Sequence, residues 1–395
     1  MTHNENNYII DTMNEIITIN PKLDSELITV LFDLERLRYQ DLEGTTPPWL
    51  FFDLKEIMHL LESIASARIE GNHTTLASAA NDVIESDKPT NNESLKELRN
   101  IRKGIDFIEE SLEKGEIISE SFIRELHKIV VNGLKDDGSK TPGKFRTENV
   151  TIKNSNHTPP EHPAVSPLMK ELVAYINIVG PSKSDIIKIA IAHHRFTAIH
   201  PFDNGNGRTG RLLTYAMLAR YGFIDDAGFR LLNPASIFCI DRNEYFNQLA
   251  NADKCTPLGV EKWCLYVAKG IYQELERVDK LLDKKFALPK IISPSLKSAA
   301  ADKVITDIEY EVLKIAIEKG IFQARDVKHL FGTTKSSAVQ TSRILASMKE
   351  KRLIMSHPKH PNKYVMRFAS NHLLRYVLDQ MSENQLLPIS NTAEN

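Results

Sequence analysis

The sequence predicts a mainly α-helical protein with one small β-hairpin and a second, smaller helical unit near its C-terminal end. Three observations predict it. Apolar residues recur at helical spacing over most of the chain, the β-branched run Val150-Thr151-Ile152 is framed by turn residues, and a stretch rich in Pro, Ser and Lys from Pro289 to Ser298 divides the helical regions. Residues 23–40 place Leu27, Val30, Leu31, Leu34 and Leu37 on one helical face. Residues 51–69 repeat the pattern with Leu54, Ile57, Leu60, Leu61, Ile64 and Ile69, and Pro47-Pro48 separates the two. Amphipathic helices follow over 93–114, closing near Gly115, and over 119–134, closing at Gly133. Residues 144–158, entered through Pro142-Gly143-Lys144-Phe145-Arg146 and left at Pro159-Pro160, read as an exposed hairpin. Helices resume over 165–179 and 184–199, and two or three more run from 211 to 284.

Composition bounds the function classes. A chain of 395 residues with 42% hydrophobic and 26% charged content is long enough for two or three packed domains. A formal net charge of −2 gives no global attraction to nucleic acid or anionic membranes. Three cysteines, Cys239, Cys255 and Cys264, lack Cys-x-x-Cys spacing, which argues against a disulfide framework or a thiolate zinc site and fits a reducing compartment. With no apolar run of membrane-spanning length and a polar start, the chain is expected in the cytoplasm, with no membrane partner.

The chemistry concentrates in His200-Pro201-Phe202-Asp203-Asn204-Gly205-Asn206-Gly207-Arg208-Thr209-Gly210-Arg211. A Gly-Asn-Gly turn opening into the helical pattern of Leu212 to Leu218 presents backbone N–H groups at a helix N-terminus, where the dipole favours anions. Arg208 and Arg211 lie three apart on one face, where guanidinium groups can hold further phosphate oxygens. His200 stands just before this cradle as a general base. Phe202 reads as the apolar anchor of the loop, and Asn206 as its amide support. His193 and His194 invite a zinc reading with His200, but no His-Glu-x-x-His pattern accompanies them, so they are expected to pack their own helix.

These twelve residues resemble the signature of the Fic family, His-x-Phe-x-(Asp/Glu)-Gly-Asn-Gly-Arg-x-x-Arg, at His200, Phe202, Gly205, Asn206, Gly207, Arg208 and Arg211. The departure is Asn204, where the family carries the acid that holds the Mg²⁺ of the nucleotide. An amide oxygen without charge is a weaker ligand, and Asp203 beside it could substitute only through a shifted loop. The resemblance covers about residues 20–280 and implies a Fic helical core. It implies transfer of AMP from ATP to a Ser, Thr or Tyr hydroxyl of a target protein, with ATP held by Gly205, Asn206, Gly207, Arg208 and Arg211. It also makes 144–158 the flap that pairs with the target, supported by Pro142-Gly143-x-Phe145-Arg146 and His157-x-Pro159-Pro160. Tyr245 reads equally as a border of the adenine pocket or as core. Self-modification, the reverse reaction and a homodimer all stay open.

Ser66-Ala67-Arg68-Ile69-Glu70-Gly71 resembles the family's inhibitory motif, Ser/Thr-x-x-x-Glu-Gly/Asn. The resemblance implies that Glu70 pairs with Arg211 in place of the ATP γ-phosphate while Ser66 positions the helix. A plain helix end closed by Gly71 explains the same residues.

Residues 305–369 read as three helices and a closing two-stranded ribbon, which resemble a winged helix. From Lys335 to Arg367 there are eight Lys or Arg and one acid, Glu350. That charge fits a DNA-facing helix and wing, a protein-contact surface, or a solvated face. The chain thus divides into an N-terminal helical segment with the inhibitory helix (1–110), a Fic catalytic core (111–285), a linker (286–303), a winged-helix-like domain (304–370) and a C-terminal tail (371–395) that is polar from Ser382 to Asn395. The alternative function is a DNA-binding regulator whose Fic-like core only senses nucleotide.

Overall fold

The computed structural model describes residues 16–39, 46–85, 88–152, 155–225, 230–332 and 336–387. Asn154 in the expected hairpin, Lys335 in the basic stretch and the tail beyond residue 387 lie outside them. The chain forms two compact units. One gathers residues 1–41, 61–73 and 90–276; the other gathers 42–60, 74–89 and 277–395. This division cuts across the boundaries expected from sequence, because helix α2 below is split between the units at Leu61.

Helices α1 (Glu26–Arg38) and α2 (Pro48–Ile69) start close to their expected positions, and Pro48 is the first residue of α2 rather than a spacer before it. Proline is tolerated there because the first helical N–H has no intrahelical partner. A further helix, α3 (Leu76–Ile84), is capped by Thr75, whose side chain accepts the Ser78 N–H.

In the first unit, α4 (Glu93–Ser111) and α5 (Glu120–Val130) are capped by Asn92 and Ser119. They are followed by α6 (His162–Asn177), α7 (Asp185–Ile199), α8 (Asn206–Arg220), α9 (Pro234–Ile240), α10 (Arg242–Ala252) and α11 (Pro257–Leu282), which, like α2, is divided between the units, here after Glu276. The central pair is α7 and α8, with α6 packed on α7 and with α4 and α5 on α8. Both central helices are buried on almost every side. Ile189, Phe196, Leu213, Met217 and Leu218 are among the fully enclosed residues. A polar side chain enclosed in this pair therefore depends on protein partners for its hydrogen bonds.

The expected hairpin at 144–158 does not form. Its described residues contain no strand, although Val150-Thr151-Ile152 has strand chemistry. The reason is competition for backbone groups. The Arg146 N–H donates to the Pro201 carbonyl at 2.9 Å, and the Arg146 side chain takes the Glu148 and Pro160 carbonyls. The segment is tied to the end of α7 instead of to itself.

In the second unit, α12 (Ser293–Ala301), α13 (Asp307–Lys319), α14 (Ser337–Glu350) and α15 (Leu373–Glu383) accompany a three-stranded antiparallel sheet. Its strands β1 (Phe322–Gln323), β2 (Ile354–His357) and β3 (His360–Met366) lie in the order β1-β3-β2, with Ile354 opposite Met366 and Phe322 opposite Tyr364. Thr306 and Glu309 close a reciprocal capping box on α13. The stretch expected as a linker is helical. Pro289 and Pro294 sit in the first turns of successive helical segments, where a missing N–H costs little, and Ile291, Ile292, Leu296 and Ala299 are buried. Two of the eight basic residues counted above are neutralised internally. Lys351 pairs with Glu309 at 2.7 Å, and Arg367 pairs with the fully buried Asp53.

Candidate active site

Helix α7 ends at His200, which adopts the left-handed conformation at φ 50°, ψ 61°. For a residue with a Cβ this costs on the order of 1 kcal/mol, and it persists because the surroundings over-determine it. His200 Nδ1 lies 3.3 Å from the Thr197 carbonyl, so Nδ1 carries the proton and the Nε2 lone pair is left to accept one. Burial lowers the imidazole pKa to about 4, with Arg146 and His157 contributing in the same direction and the Thr197 carbonyl and Glu70 opposing. The ring is neutral at physiological pH, as a proton acceptor must be.

The loop after His200 is set by its own side chains. Asn206 accepts the Phe202 N–H and donates to the Phe202 carbonyl, both at 2.9 Å. Phe202 is fully buried and lies parallel to the His127 ring at 3.7 Å. His127 Nδ1 accepts the Gly143 N–H at 2.9 Å, which leaves Nε2–H to donate to the Asn204 carbonyl at 3.0 Å. Gly205 begins α8 at φ 74°, and a Cβ there would press on Val131. No side chain caps the first turn of α8. Its N–H groups therefore form an anion nest.

The group standing over that nest is Glu70. A Cβ added to Gly207 would lie 2.1 Å from Glu70 Oε1 and 3.1 Å from Arg211 Nη1. Glu70 closes α2 in a Schellman turn, in which Asn72 N–H reaches the Ala67 carbonyl and Gly71 N–H the Arg68 carbonyl. Its carboxylate accepts from Arg211 Nη2 at 2.6 Å. Arg211 also donates through Nε to Ser66 Oγ and through Nη2 to the Ser66 carbonyl, each at 2.9 Å. Burial pushes the Glu70 pKa up, but Arg211, Arg208 and His200 outweigh it, and the carboxyl is held below its ordinary range.

Arg208 does not share an open face with Arg211. It is buried, donating to Glu97 at 2.9 Å and to the Asp137 carbonyl at 2.7 Å. The other Glu97 oxygen accepts from Asn72 at 2.7 Å, so the end of α2 is tied to Arg208 as well as to Arg211. Removing one partner of a buried ion pair costs about 3–5 kcal/mol. Glu97→Ala should therefore lower the thermal midpoint by on the order of 10 °C, read by calorimetry. A midpoint within a degree of the parent's would show that the pair contributes nothing.

Tyr245 is enclosed beside Arg211, with which its hydroxyl also hydrogen-bonds. It is 2% exposed, and its hydroxyl meets His193 Nε2 at 2.9 Å, while His193 Nδ1 meets Thr214 Oγ1 at 2.7 Å. His194 pairs with Asp253 at 2.9 Å. Neither histidine is placed with His200 for a metal. At position 204 the amide Oδ1 accepts the Gly205 N–H at 2.7 Å, and the Asp203 carboxylate is taken by Ser139 Oγ and Lys140 N–H. Among the described residues no group of three or more His, Cys, Asp or Glu is gathered for a metal ion. The residues present thus do not fit a protein-built Mg²⁺ site.

Sequence reasoning missed Glu97, Asn72 and His127. Glu97 interrupts the apolar face of α4 one turn before Ile101, and a carboxylate on such a face was the available signal.

Residues 117–218 match the model of the Fic/DOC family, and the chain carries a domain of that family. The chain is 27% identical over 243 residues to the protein adenylyltransferase Fic of Nematostella vectensis, covering 59% of this chain and 51% of that protein. It is 29% identical over 150 residues to a probable protein adenylyltransferase of Aquifex aeolicus, covering 38% and 41%. The chain thus spans about half or less of the length of these curated relatives. The crystal structure of a Fic family protein from Desulfovibrio desulfuricans G20 superposes with a TM-score of 0.55 at 20% identity, covering 89% of this chain and 98% of that one. That similarity is one of fold. No helix among the described residues is long and apolar enough to cross a membrane.

Proposed function

We propose that the chain is a protein adenylyltransferase held in a resting state by Glu70. The observation that carries this reading is a neutral histidine placed immediately before an anion nest over which stands a carboxylate paired to Arg211. Glu70 stands in chemically for a phosphate oxygen. Its departure would leave the first turn of α8 and the Arg211 guanidinium to an ATP phosphate. In the reaction, the oxygen of a target Ser, Thr or Tyr hydroxyl attacks the α-phosphorus and its proton passes to His200 Nε2. The bond from the α-phosphorus to the bridging oxygen breaks, and pyrophosphate leaves. Nest N–H groups stabilise charge developing on the phosphates. The target segment would lie along 144–158.

The test is incubation of the Glu70→Gly chain with ATP labelled at the α- or the γ-phosphate, followed by intact mass measurement. Label retained from the α-position only, with the mass of AMP added to protein, is the expected result. Label from the γ-position would mean phosphorylation, and ATP binding without transfer would leave a nucleotide sensor. Asn204→Asp should raise Mg²⁺ affinity in the presence of ATP, because it adds a hard anionic oxygen where the present amide is turned into its own loop. Isothermal titration with Mg²⁺ checks this. Equal affinity in both chains would place position 204 away from the metal.

A further inference from the structure

The geometry points to Arg146 and His157 as positioning residues that set the catalytic histidine by capping the end of the helix that carries it. This inference rests on the adenylyltransferase reading for its activity arm only. The last carbonyls of a helix have no intrahelical partner and carry the negative end of its dipole. In α7 three consecutive ones, those of Ala198, Ile199 and His200, are taken by these two side chains. His157 Nε2–H donates to the Ala198 carbonyl at 2.9 Å. Arg146 Nη2 reaches the Ile199 carbonyl at 3.4 Å, and Arg146 Nε reaches the His200 carbonyl at 2.9 Å.

The remaining bonds of the two residues fix the clamp itself. Arg146 Nη1 and Nη2 bind the Glu148 and Pro160 carbonyls at 3.0 and 2.5 Å, and the Arg146 N–H binds the Pro201 carbonyl at 2.9 Å. His157 Nδ1 faces the Asp253 carboxylate at 3.7 Å, and the same carboxylate oxygen holds His194 of α7 at 2.9 Å. A planar guanidinium presents five donors in a rigid fork, whereas an ammonium presents three from one point on a flexible stem. His200 is left-handed without being a glycine, so some external contact must hold it there. Arg146 binds its carbonyl directly and the next carbonyl through its own backbone. The segment proposed to receive the target is thus the segment that places the base, and bending one displaces the other.

The consequence is separable from nucleotide binding, because the anion nest lies on α8 beyond the clamp. Arg146→Met in the full chain carrying Glu70→Gly should lower the turnover of self-adenylylation by about 10²-fold, as expected for a displaced reacting group, while ATP affinity by calorimetry stays unchanged. Arg146→Lys should recover part of the loss. His157→Asn, which removes one bond of the set, should lose less than Arg146→Met. A second readout needs no activity. The His200 ring faces Arg146, Glu70 and His157, and the Arg146 charge helps keep it neutral. In histidine-labelled protein, the His200 ring signal should therefore titrate at higher pH in Arg146→Met than in its Glu70→Gly parent.

Unchanged turnover together with an unchanged His200 titration in Arg146→Met would overturn the inference. So would a loss of ATP affinity equal to the loss of turnover, since that marks general disruption. If Arg146→Met does not fold, Arg146→Lys and His157→Asn decide by the same two readouts. If the Glu70→Gly parent transfers no AMP, the functional reading fails alone, and the titration still decides the clamp.

Discussion

His200→Ala should abolish AMP transfer while leaving ATP binding intact. The imidazole is the group whose proton affinity, tautomer and location suit a base. Its Nδ1–H is committed to the Thr197 carbonyl, and burial keeps the ring neutral down to about pH 4. General-base contributions run to about 10²–10⁴-fold, enough to take a modest rate below detection. The nest begins at Gly205, on the far side of the Phe202 anchor and the Asn206 clamp, so losing the ring need not disturb it. The sign of the pH dependence follows from the same pKa. A base works when unprotonated, so the transfer rate of the unmodified site should hold as pH falls through 6.5 and decline only near 4. Calorimetry with ATP and a mass assay of AMP transfer check both halves. Residual transfer equal to the parent's would remove His200 from the mechanism.

The parts of this site that were legible in the sequence are those set by local chemistry. A glycine turn before a helix implies an open N-terminus whatever surrounds it, and α8 begins there, at Asn206, with Gly205 left-handed. The helices were legible because apolar spacing reports the buried face, and α4, α5 and α7 follow it to within a few residues. What was not legible depends on partners distant in sequence. Arg208 has the same spacing from the nest whether it holds a phosphate or Glu97, and only packing brings Glu97, 111 positions away, to 2.9 Å. Tyr245 reads equally as pocket border or core in sequence, and only packing brings its hydroxyl to both His193 and Arg211. The strand chemistry of Val150-Thr151-Ile152 predicts a hairpin over 144–158. It produced no hairpin because Arg146 committed the neighbouring backbone to α7. Prolines near 289 and 294 suggested a linker, yet proline also starts helices, and the buried isoleucines beside them were the stronger signal.

Glu70→Gly should raise AMP transfer, most visibly as self-modification. Glu70 sits at the end of α2, where the helix dipole disfavours a carboxylate, so its presence there does not serve the helix. Burial disfavours the charge further, and Arg211 at 2.6 Å is what holds it ionised. In that position it blocks ATP in two ways. Its Oε1 stands against the bare face of Gly207, where nest N–H groups would meet phosphate, and it neutralises the guanidinium that would bind the terminal phosphate. ATP could then bind only with its third phosphate displaced, and a misplaced α-phosphorus loses in-line alignment, at a cost of about 10²-fold or more in rate. Glycine at position 70 removes the carboxylate and keeps the Schellman turn, because the bonds that close it run through the backbone of Gly71 and Asn72. Ser66 would still hold Arg211 through its hydroxyl and carbonyl, so the guanidinium stays aimed at the vacated position. Arg211→Ala should stay inactive even when combined with Glu70→Gly, since it removes the phosphate partner together with the inhibitor's. Mass spectrometry of the four chains under matched ATP checks the pair of expectations. If Glu70→Gly is no more active than the parent, residues 66–71 only end a helix, and the Glu70–Arg211 bond is a structural ion pair.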